Sequence, residues 1–127
     1  MKTAIRKLAV AGLLASTLLA GGSNPLQKAP AKDAARPDPY EEGSPAERDH
    51  AARAGRKLFG RECASCHGEA GGGTRIAPAL ASPAVRRTTP GAIFWVLRNG
   101  SLRRGMPSFA HLPDQQRWQI VTYLKTL

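Results

Sequence analysis

The sequence predicts an all-α fold in which three or four short helices are joined by glycine-rich loops. Three observations support this prediction: capping residues bracket the apolar segments, glycine occupies 71–73 between them, and no segment alternates apolar and polar residues with the period of two that is typical of a strand. The chain has 127 residues, which suits one small domain and leaves no room for two.

The first and last predicted helices are marked by charge. In the first, at about 45–62, Glu47 and Asp49 lie near the start and basic residues follow, an order that complements the helix dipole. The last helix begins at Pro113, and Asp114 falls in its first turn. These charges therefore favour helices at both ends of the domain.

The predicted helix between them is marked by its caps. Thr89 is a favourable N-cap residue, and Pro90 suits the first helical position. The apolar run 92–97 follows, and Gly100 closes the helix as a C-cap. This segment is therefore predicted to be a short helix whose apolar side chains join the core.

Residues 1–22 have the order of a secretory signal peptide: a positively charged start, an apolar run at 8–20 and small residues at 20–22. A retained transmembrane anchor is the alternative, but spanning a bilayer takes about 20 apolar residues and this run is shorter. We therefore predict export to the periplasm with cleavage of the signal. The segment resembles a lipoprotein signal that lacks its cysteine, so no lipid anchor is predicted.

Residues 23–50 are rich in proline, alanine and charge and have few large apolar side chains. Such a composition cannot bury enough surface to offset the entropy of ordering, so a flexible tether is predicted before a folded domain at 51–127. The tether has four Lys/Arg and six Asp/Glu, whereas the domain has twelve and three. The positive charge is therefore concentrated on the folded part.

The pentapeptide Cys63-Ala64-Ser65-Cys66-His67 carries the chemistry of the predicted site. Two thiols three positions apart can each add to a vinyl group of one haem, and the adjacent histidine can reach the iron from the same side. This is the spacing of c-type haem attachment. We therefore predict that Cys63 and Cys66 bind one haem c covalently and that His67 is an axial ligand of its iron.

Three other interpretations of the cysteines explain less of the pattern. A thioredoxin-like redox pair lies near a βαβ pattern, which is not visible here. A zinc site needs four ligands, and His50 and His111 have no paired spacing with the motif. A plain disulfide, which an oxidising compartment would permit, leaves His67 unexplained.

Met106 is the predicted second axial ligand. It is the only methionine once the signal is removed, and it lies between Gly105 and Pro107 in a predicted loop. These neighbours hold the thioether on a loop rather than on a helix face, and Met/His is an established ligand pair of haem iron. The alternatives are a methionine that fills a gap in the core and ligation by His50 or His111.

The region 51–127 resembles the class I cytochromes c, which are monohaem proteins with His/Met ligation. Beside the C-x-x-C-H motif, four local matches carry the resemblance. They are Gly55 with Phe59 on the first helix, Ile120 with Tyr123 on the last, the proline loop 77–80, and Met106-Pro107.

The resemblance implies a small cytochrome c fold, with three to four short helices wrapped around one covalent haem. It implies that the terminal helices cross at Gly55. It also implies that the backbone carbonyl of Pro78 accepts the ring N–H of His67, which would fix the tautomer and orientation of that ring.

The resemblance further implies one-electron transfer rather than catalysis. With His67 and Met106 on the iron, no position is open to a substrate, so we predict no enzyme and assign no catalytic residue. We predict a periplasmic carrier that accepts electrons from a dehydrogenase and passes them to a respiratory acceptor. The alternatives are a haem c subunit fixed in a dehydrogenase or oxidase complex, a haem sensor or peroxidase with a labile Met106 bond, and a thiol oxidoreductase.

The basic domain predicts redox partners with acidic docking surfaces and an association that weakens as salt rises. Arg86-Arg87 and Arg103-Arg104 are the candidate basic pairs; the alternative is that they are ordinary solvated surface. A periplasmic dehydrogenase and a terminal oxidase are the partner classes that the resemblance suggests. Nucleic acid is not expected as a partner of an exported protein, whereas the tether would permit association with a membrane surface.

Overall fold

A computed structural model describes residues 24–127, and these residues confirm the all-α prediction. The one β feature in that range is an isolated antiparallel bridge between Ser101 and Met106. Across the same range, no helix is both long and apolar enough to cross a bilayer. The helices are α1 (Ala31–Ala34), α2 (Pro45–Glu62), α3 (Ala64–His67), α4 (Pro83–Arg87), α5 (Pro90–Asn99) and α6 (Asp114–Leu124), with 3-10 turns at Pro25–Gln27 and Leu102–Arg104.

The three longer helices are those predicted from charge and capping residues. The side chain of Thr89 caps α5 by accepting from the backbone N–H of Ala92, and Gly100 follows the helix as its C-cap. Pro113 is the N-cap of α6, so that helix begins one residue later than predicted. The short helices α1 and α4 were not predicted, because four or five residues are too few to show a helical period.

The packing of α2 across α6 builds the centre of the domain. A Cβ on Gly55 would lie 1.9 Å from the carbonyl oxygen of Gln119, so only a glycine lets the two backbones approach this closely. Phe59 packs edge-on against Tyr123, with 5.4 Å between ring centroids. Ile120 is completely buried. The helix crossing predicted from the resemblance is therefore confirmed.

Helix α5 joins this centre through stacked aromatic rings. The centroids of Phe94 and Trp118 are 4.2 Å apart and their planes differ by 21°, an arrangement that adds to the energy of burial. This contact fixes α5 against α6 and thereby both ends of the connection that carries Met106. The rest of the buried core consists of Leu58, Cys63, Val85, Ile93, Leu97, Phe109, Leu112, Val121 and Leu124.

The two segments predicted ahead of the domain have different outcomes. The predicted signal peptide, residues 1–22, lies outside the described residues. The second segment is the predicted flexible tether at 23–50, of which the structure describes residues 24–50. Residues 24–42, which we name the N-terminal strap, fold back against α5 and α6, and α2 already begins at Pro45. The packed unit therefore begins well before residue 51.

The N-terminal strap makes polar contacts in addition to the packing of Leu26 and Tyr40 against the hydrophobic core. Asp38 is only 1% exposed, and its carboxylate accepts from the hydroxyl of Thr122 at 2.8 Å. The guanidinium of Arg36 lies 4.7 Å from the ring centroid of Phe94 and 5.3 Å from that of Trp118, within the range of cation–π attraction. The composition argument counted only apolar area, which is why it missed this segment.

A capping box at the start of α2 makes part of the stability of this helix depend on pH. Glu47 accepts from the backbone N–H and the hydroxyl of Ser44, and these hydrogen bonds lower the pKa of its carboxyl. A lowered folded-state pKa stabilises the fold above the unfolded-state value of about 4.3, and this contribution is lost as the pH falls through the folded-state pKa.

Glu47→Gln is therefore expected to lower the urea midpoint at neutral pH and to have no effect at pH values well below the folded-state pKa. Glutamine keeps the capping geometry but carries no charge. The substitution therefore isolates the contribution that the charge of Glu47 makes to stability. Urea unfolding at a series of pH values measures it, with the exposed Glu42→Gln as control. A Glu47→Gln effect that is equal at all pH values would contradict this account.

Candidate functional site

The cysteine motif lies at the junction of α2 and α3. Cys63 ends α2 and precedes α3, and its carbonyl accepts from the backbone N–H groups of Cys66 and His67 at 3.1 and 3.0 Å. The intervening residues thus form one helical turn, which places side chains three positions apart on neighbouring parts of its surface. Cys63 is buried, Cys66 is exposed and His67 is 9% exposed.

The ring of His67 is held by the backbone of Pro78. Its Nδ1 lies 2.8 Å from the carbonyl oxygen of Pro78, the contact that the resemblance implied. A carbonyl oxygen can only accept, so Nδ1 carries the proton and donates it. The lone pair is then on Nε2, the atom that a metal would bind, and the hydrogen bond makes that nitrogen a stronger donor to a metal.

A tightly bonded loop, residues 68–81, brings Pro78 to His67. The carbonyl of His67 accepts from Gly73, and the carbonyl of Gly71 accepts from Leu80 and Ala81 at 2.8 and 2.9 Å. Gly73 has φ +84°, and a Cβ there would lie 2.6 Å from the backbone nitrogen of Ala79. The two sides of the loop can therefore lie this close together only with glycine at 73.

Thr74 is a supporting residue that the sequence analysis missed. Its hydroxyl donates to the carbonyl of Cys66 at 2.6 Å and accepts from the backbone N–H of Ile76. It thereby joins the loop to the motif a second time. A threonine directly after three glycines was a usable signal, because a hydroxyl there can bond backbone groups that the loop leaves unpaired.

Met106 lies on the connection between α5 and α6. Its backbone pairs with Ser101 through two hydrogen bonds, at 2.9 and 3.2 Å, which close the turn Leu102–Arg104 into a small loop. The Met106 side chain is partly buried and packs against the hydrophobic core. The structure thus holds the thioether on a fixed loop, as the flanking glycine and proline indicated.

The rival histidines lie in less suitable places. His50 is exposed on α2, about 20 Å along the helix axis from Cys63 at about 1.5 Å per residue. His111 is exposed in the turn before α6, with its ring centroid 6.0 Å from that of Phe109. Both histidines are thus exposed, whereas the Met106 side chain is partly buried.

The buried Cys63 thiol is not activated as a nucleophile. Burial, with added repulsion from the charges of Glu62 and Cys66, raises the pKa of the Cys63 thiol to about 12. Reactive dithiol pairs instead have a thiol with a lowered pKa. Both cysteines are free, and within residues 24–127 no three His, Cys, Asp or Glu side chains gather as a metal site.

The residues present fit a covalently attached haem. Two free thiols and an imidazole with an available Nε2 occupy one turn. The only large apolar side chains exposed in residues 24–127 are Ile76 at 72% and Leu102 at 77%. Ile76 belongs to the loop that carries Pro78, and Leu102 to the turn that precedes Met106, so each of the two ligand segments has one exposed apolar side chain.

A family match covers more than half of the chain. Residues 50–124 match the family described as Cytochrome C oxidase, cbb3-type, subunit III. The matched region starts within α2, ends with the last residue of α6, and includes the cysteine motif, Pro78 and Met106. No curated protein gives a significant match to the chain.

Proposed function

The chain belongs to the family described as Cytochrome C oxidase, cbb3-type, subunit III, and from this premise we propose that it is a periplasmic one-electron carrier. As a c-type cytochrome domain it binds haem c covalently and works in electron transfer. We propose that it accepts electrons from a dehydrogenase and passes them to a respiratory acceptor. The haem, when bound, supplies a one-electron Fe(III)/Fe(II) couple.

The contact between His67 and Pro78 is the observation that carries this proposal. We assign thioether attachment to Cys63 and Cys66, axial ligation to His67 and Met106, and orientation of His67 to the carbonyl of Pro78. A histidine that is buried and held by a backbone carbonyl stays in place when the charge on its metal changes. Small rearrangement is what a carrier needs, and two occupied axial positions leave none for a substrate, so we propose no enzymatic activity.

The charge of the domain supports partners with acidic docking surfaces. Residues 51–127 carry twelve Lys/Arg against three Asp/Glu, and both arginine pairs, 86–87 and 103–104, are exposed. The second pair lies in the turn just before Met106, so it would present positive charge beside the redox site. Electron transfer to an acidic partner should therefore slow as ionic strength rises.

A subunit fixed within a respiratory oxidase is the second candidate, because the family description names an oxidase subunit. Size-exclusion chromatography of the native membrane and soluble fractions separates the two roles. A free carrier elutes at the size of a single chain, whereas a subunit elutes with an oxidase. Export is tested by N-terminal sequencing of the mature protein, which should begin after residue 22; an intact N-terminus would argue for a retained anchor.

Replacing the proposed axial methionine tests the assignment of the iron ligands. When Met106→Ala is produced in a host that matures c-type cytochromes, it is expected to keep covalent haem and to lose the weak far-red methionine–iron band. Its reduction potential should fall, by a substantial part of the roughly 0.8 V range that axial ligands set, because methionine favours Fe(II). Visible spectra and redox titration measure both effects.

The matched controls are His50→Ala and His111→Ala, which should retain the far-red band. If the unaltered protein has covalent haem without that band, and Met106→Ala changes nothing, the iron is bis-histidine ligated or has an open position. A colourless protein from the same host would refute haem attachment by the cysteine motif. In that event the chain would be an exported dithiol protein.

A further inference from the structure

The connection that carries Met106 is held on one side by the C-terminal end of α5. We name residues 106–113 the methionine loop. The backbone N–H of Phe109 donates to the carbonyl of Leu97 at 2.8 Å, and the hydroxyl of Ser108 donates to the carbonyl of Arg98 at 2.5 Å. These bonds satisfy carbonyls that the end of a helix leaves free. They fix the first half of the loop.

The other side of the methionine loop is held by one side chain of α6. Arg117 is only 4% exposed, and its Nη1 donates to the carbonyl of Phe109 at 3.0 Å and to that of Leu112 at 2.6 Å. Its Nη2 pairs with Asp114. The guanidinium carbon also lies 5.2 Å from the ring centroid of Phe94. The cation therefore reaches both the middle and the end of the loop.

This arginine is poorly explained as a residue that merely fills the core. A buried cation is expensive in free energy, and within the described residues the Nε of Arg117 is buried without a hydrogen-bond partner. The arrangement of its hydrogen bonds points to a different role. Its planar guanidinium donates from Nη1 to two backbone carbonyls three residues apart while Nη2 pairs with Asp114, a pattern that no apolar side chain can reproduce.

We propose that Arg117 is a positioning residue for Met106, whose buried guanidinium fixes the methionine loop so that the thioether stays in the axial position. The inference rests on the proposed function, since it takes Met106 as an iron ligand. Arg117 does not touch the reacting atoms and acts only through the loop. Loosening the loop should make the thioether easier to displace, with little change in the attachment at Cys63 and Cys66.

Displacement of the thioether by imidazole measures this effect without unfolding the protein. Imidazole is titrated into the oxidised, haem-loaded full-length protein while the far-red methionine–iron band is followed. Arg117→Lys and Arg117→Gln should each raise the apparent affinity for imidazole about tenfold or more, because a single donor nitrogen cannot take the places of both Nη1 on the loop carbonyls and Nη2 on Asp114. Arg117→Lys keeps the charge, so a large effect there shows that the fork geometry matters.

A variant that only weakens the core is the matched control. Val121→Ala shortens a completely buried side chain one turn further along α6 and should lower the unfolding midpoint without raising the affinity for imidazole. If it raises that affinity as much as the Arg117 variants do, the effect is one of general stability and the positioning role is refuted. Unchanged affinity in the Arg117 variants refutes it equally.

Two further outcomes are informative. If neither Arg117 variant folds, the proposal is tested in the unaltered haem-loaded protein by NMR: the Nη1 protons of Arg117 should be protected from exchange by the carbonyls of Phe109 and Leu112, and rapid exchange with solvent overturns the proposal. If the unaltered protein shows covalent haem but no methionine–iron band, ligation by Met106 has failed and the positioning role fails with it. A normal band in the unaltered protein with no effect at Arg117 overturns the positioning role alone.

Discussion

Gly55→Ala is expected to destabilise the haem-loaded protein by at least about 3 kcal/mol, although alanine is the better helix former. The added Cβ would lie 1.9 Å from the carbonyl oxygen of Gln119 and 2.9 Å from the Cβ of Tyr123. The nearest atoms are backbone atoms of α6, which cannot rotate away. Relief requires the two helices to move apart, and that would also open the contact between Phe59 and Tyr123. Unfolding by urea, followed by far-ultraviolet circular dichroism, measures the change.

The same helix contains its own control for this prediction. Gly60 also lies in α2, but a Cβ there would meet nothing within 4 Å. Gly60→Ala should therefore be neutral or stabilising by up to about 1 kcal/mol, because it gains helix propensity without a clash. If Gly55→Ala were as stable as Gly60→Ala, the close crossing of α2 and α6 would be wrong. Loss of stability in both variants to the same extent would also exclude the crossing as the cause.

The parts of this structure that were predictable from sequence are those with short local signals. Charges placed α2 and α6, and capping residues placed α5, to within a residue or so, because both signals depend on neighbours in the chain. The crossing at Gly55 and the contact of His67 with Pro78 were predictable for another reason. Each is tied to a motif whose order and spacing resemble a known family, so that a long-range contact could be inferred from local matches.

The unpredicted parts depend on partners far away in the sequence. Asp38 can be buried because the hydroxyl of Thr122, 84 residues later in the chain, donates a hydrogen bond to its carboxylate. Nothing in the sequence near residue 38 indicates that partner. Arg117 could have been noticed, since it lies three, four and seven residues before the buried Ile120, Val121 and Leu124 and thus near their helix face. Its hydrogen bonds to the methionine loop could not be predicted, because they depend on the path of that loop, which the sequence does not indicate.

Asp38→Ala is expected to destabilise the protein by about 2 to 3 kcal/mol, the range for a hydrogen-bonded buried charge. The substitution removes the acceptor of two hydrogen bonds. One is donated by the backbone N–H of Tyr40 at 3.0 Å, and the other by the hydroxyl of Thr122 at 2.8 Å. The single proton of the Thr122 hydroxyl can then be donated to the carbonyl of Trp118 instead, at 2.9 Å, which limits the loss on that side. The matched control is Glu41→Ala, an exposed position in the same strap, where a change within about 0.5 kcal/mol is expected.

A double-mutant cycle identifies the bond that fastens the N-terminal strap. If the carboxylate of Asp38 and the hydroxyl of Thr122 act as a pair, Asp38→Ala and Thr122→Val together should cost less than the sum of the single substitutions by about 0.5 kcal/mol or more. Additive effects would mean that the strap is held elsewhere. The remaining contacts are Arg36 over Phe94 and Trp118, and the packing of Leu26 and Tyr40 against the core. If Asp38→Ala were no more destabilising than Glu41→Ala, residues 24–42 would be the loose tether that composition alone indicated, and the packed domain would begin at α2.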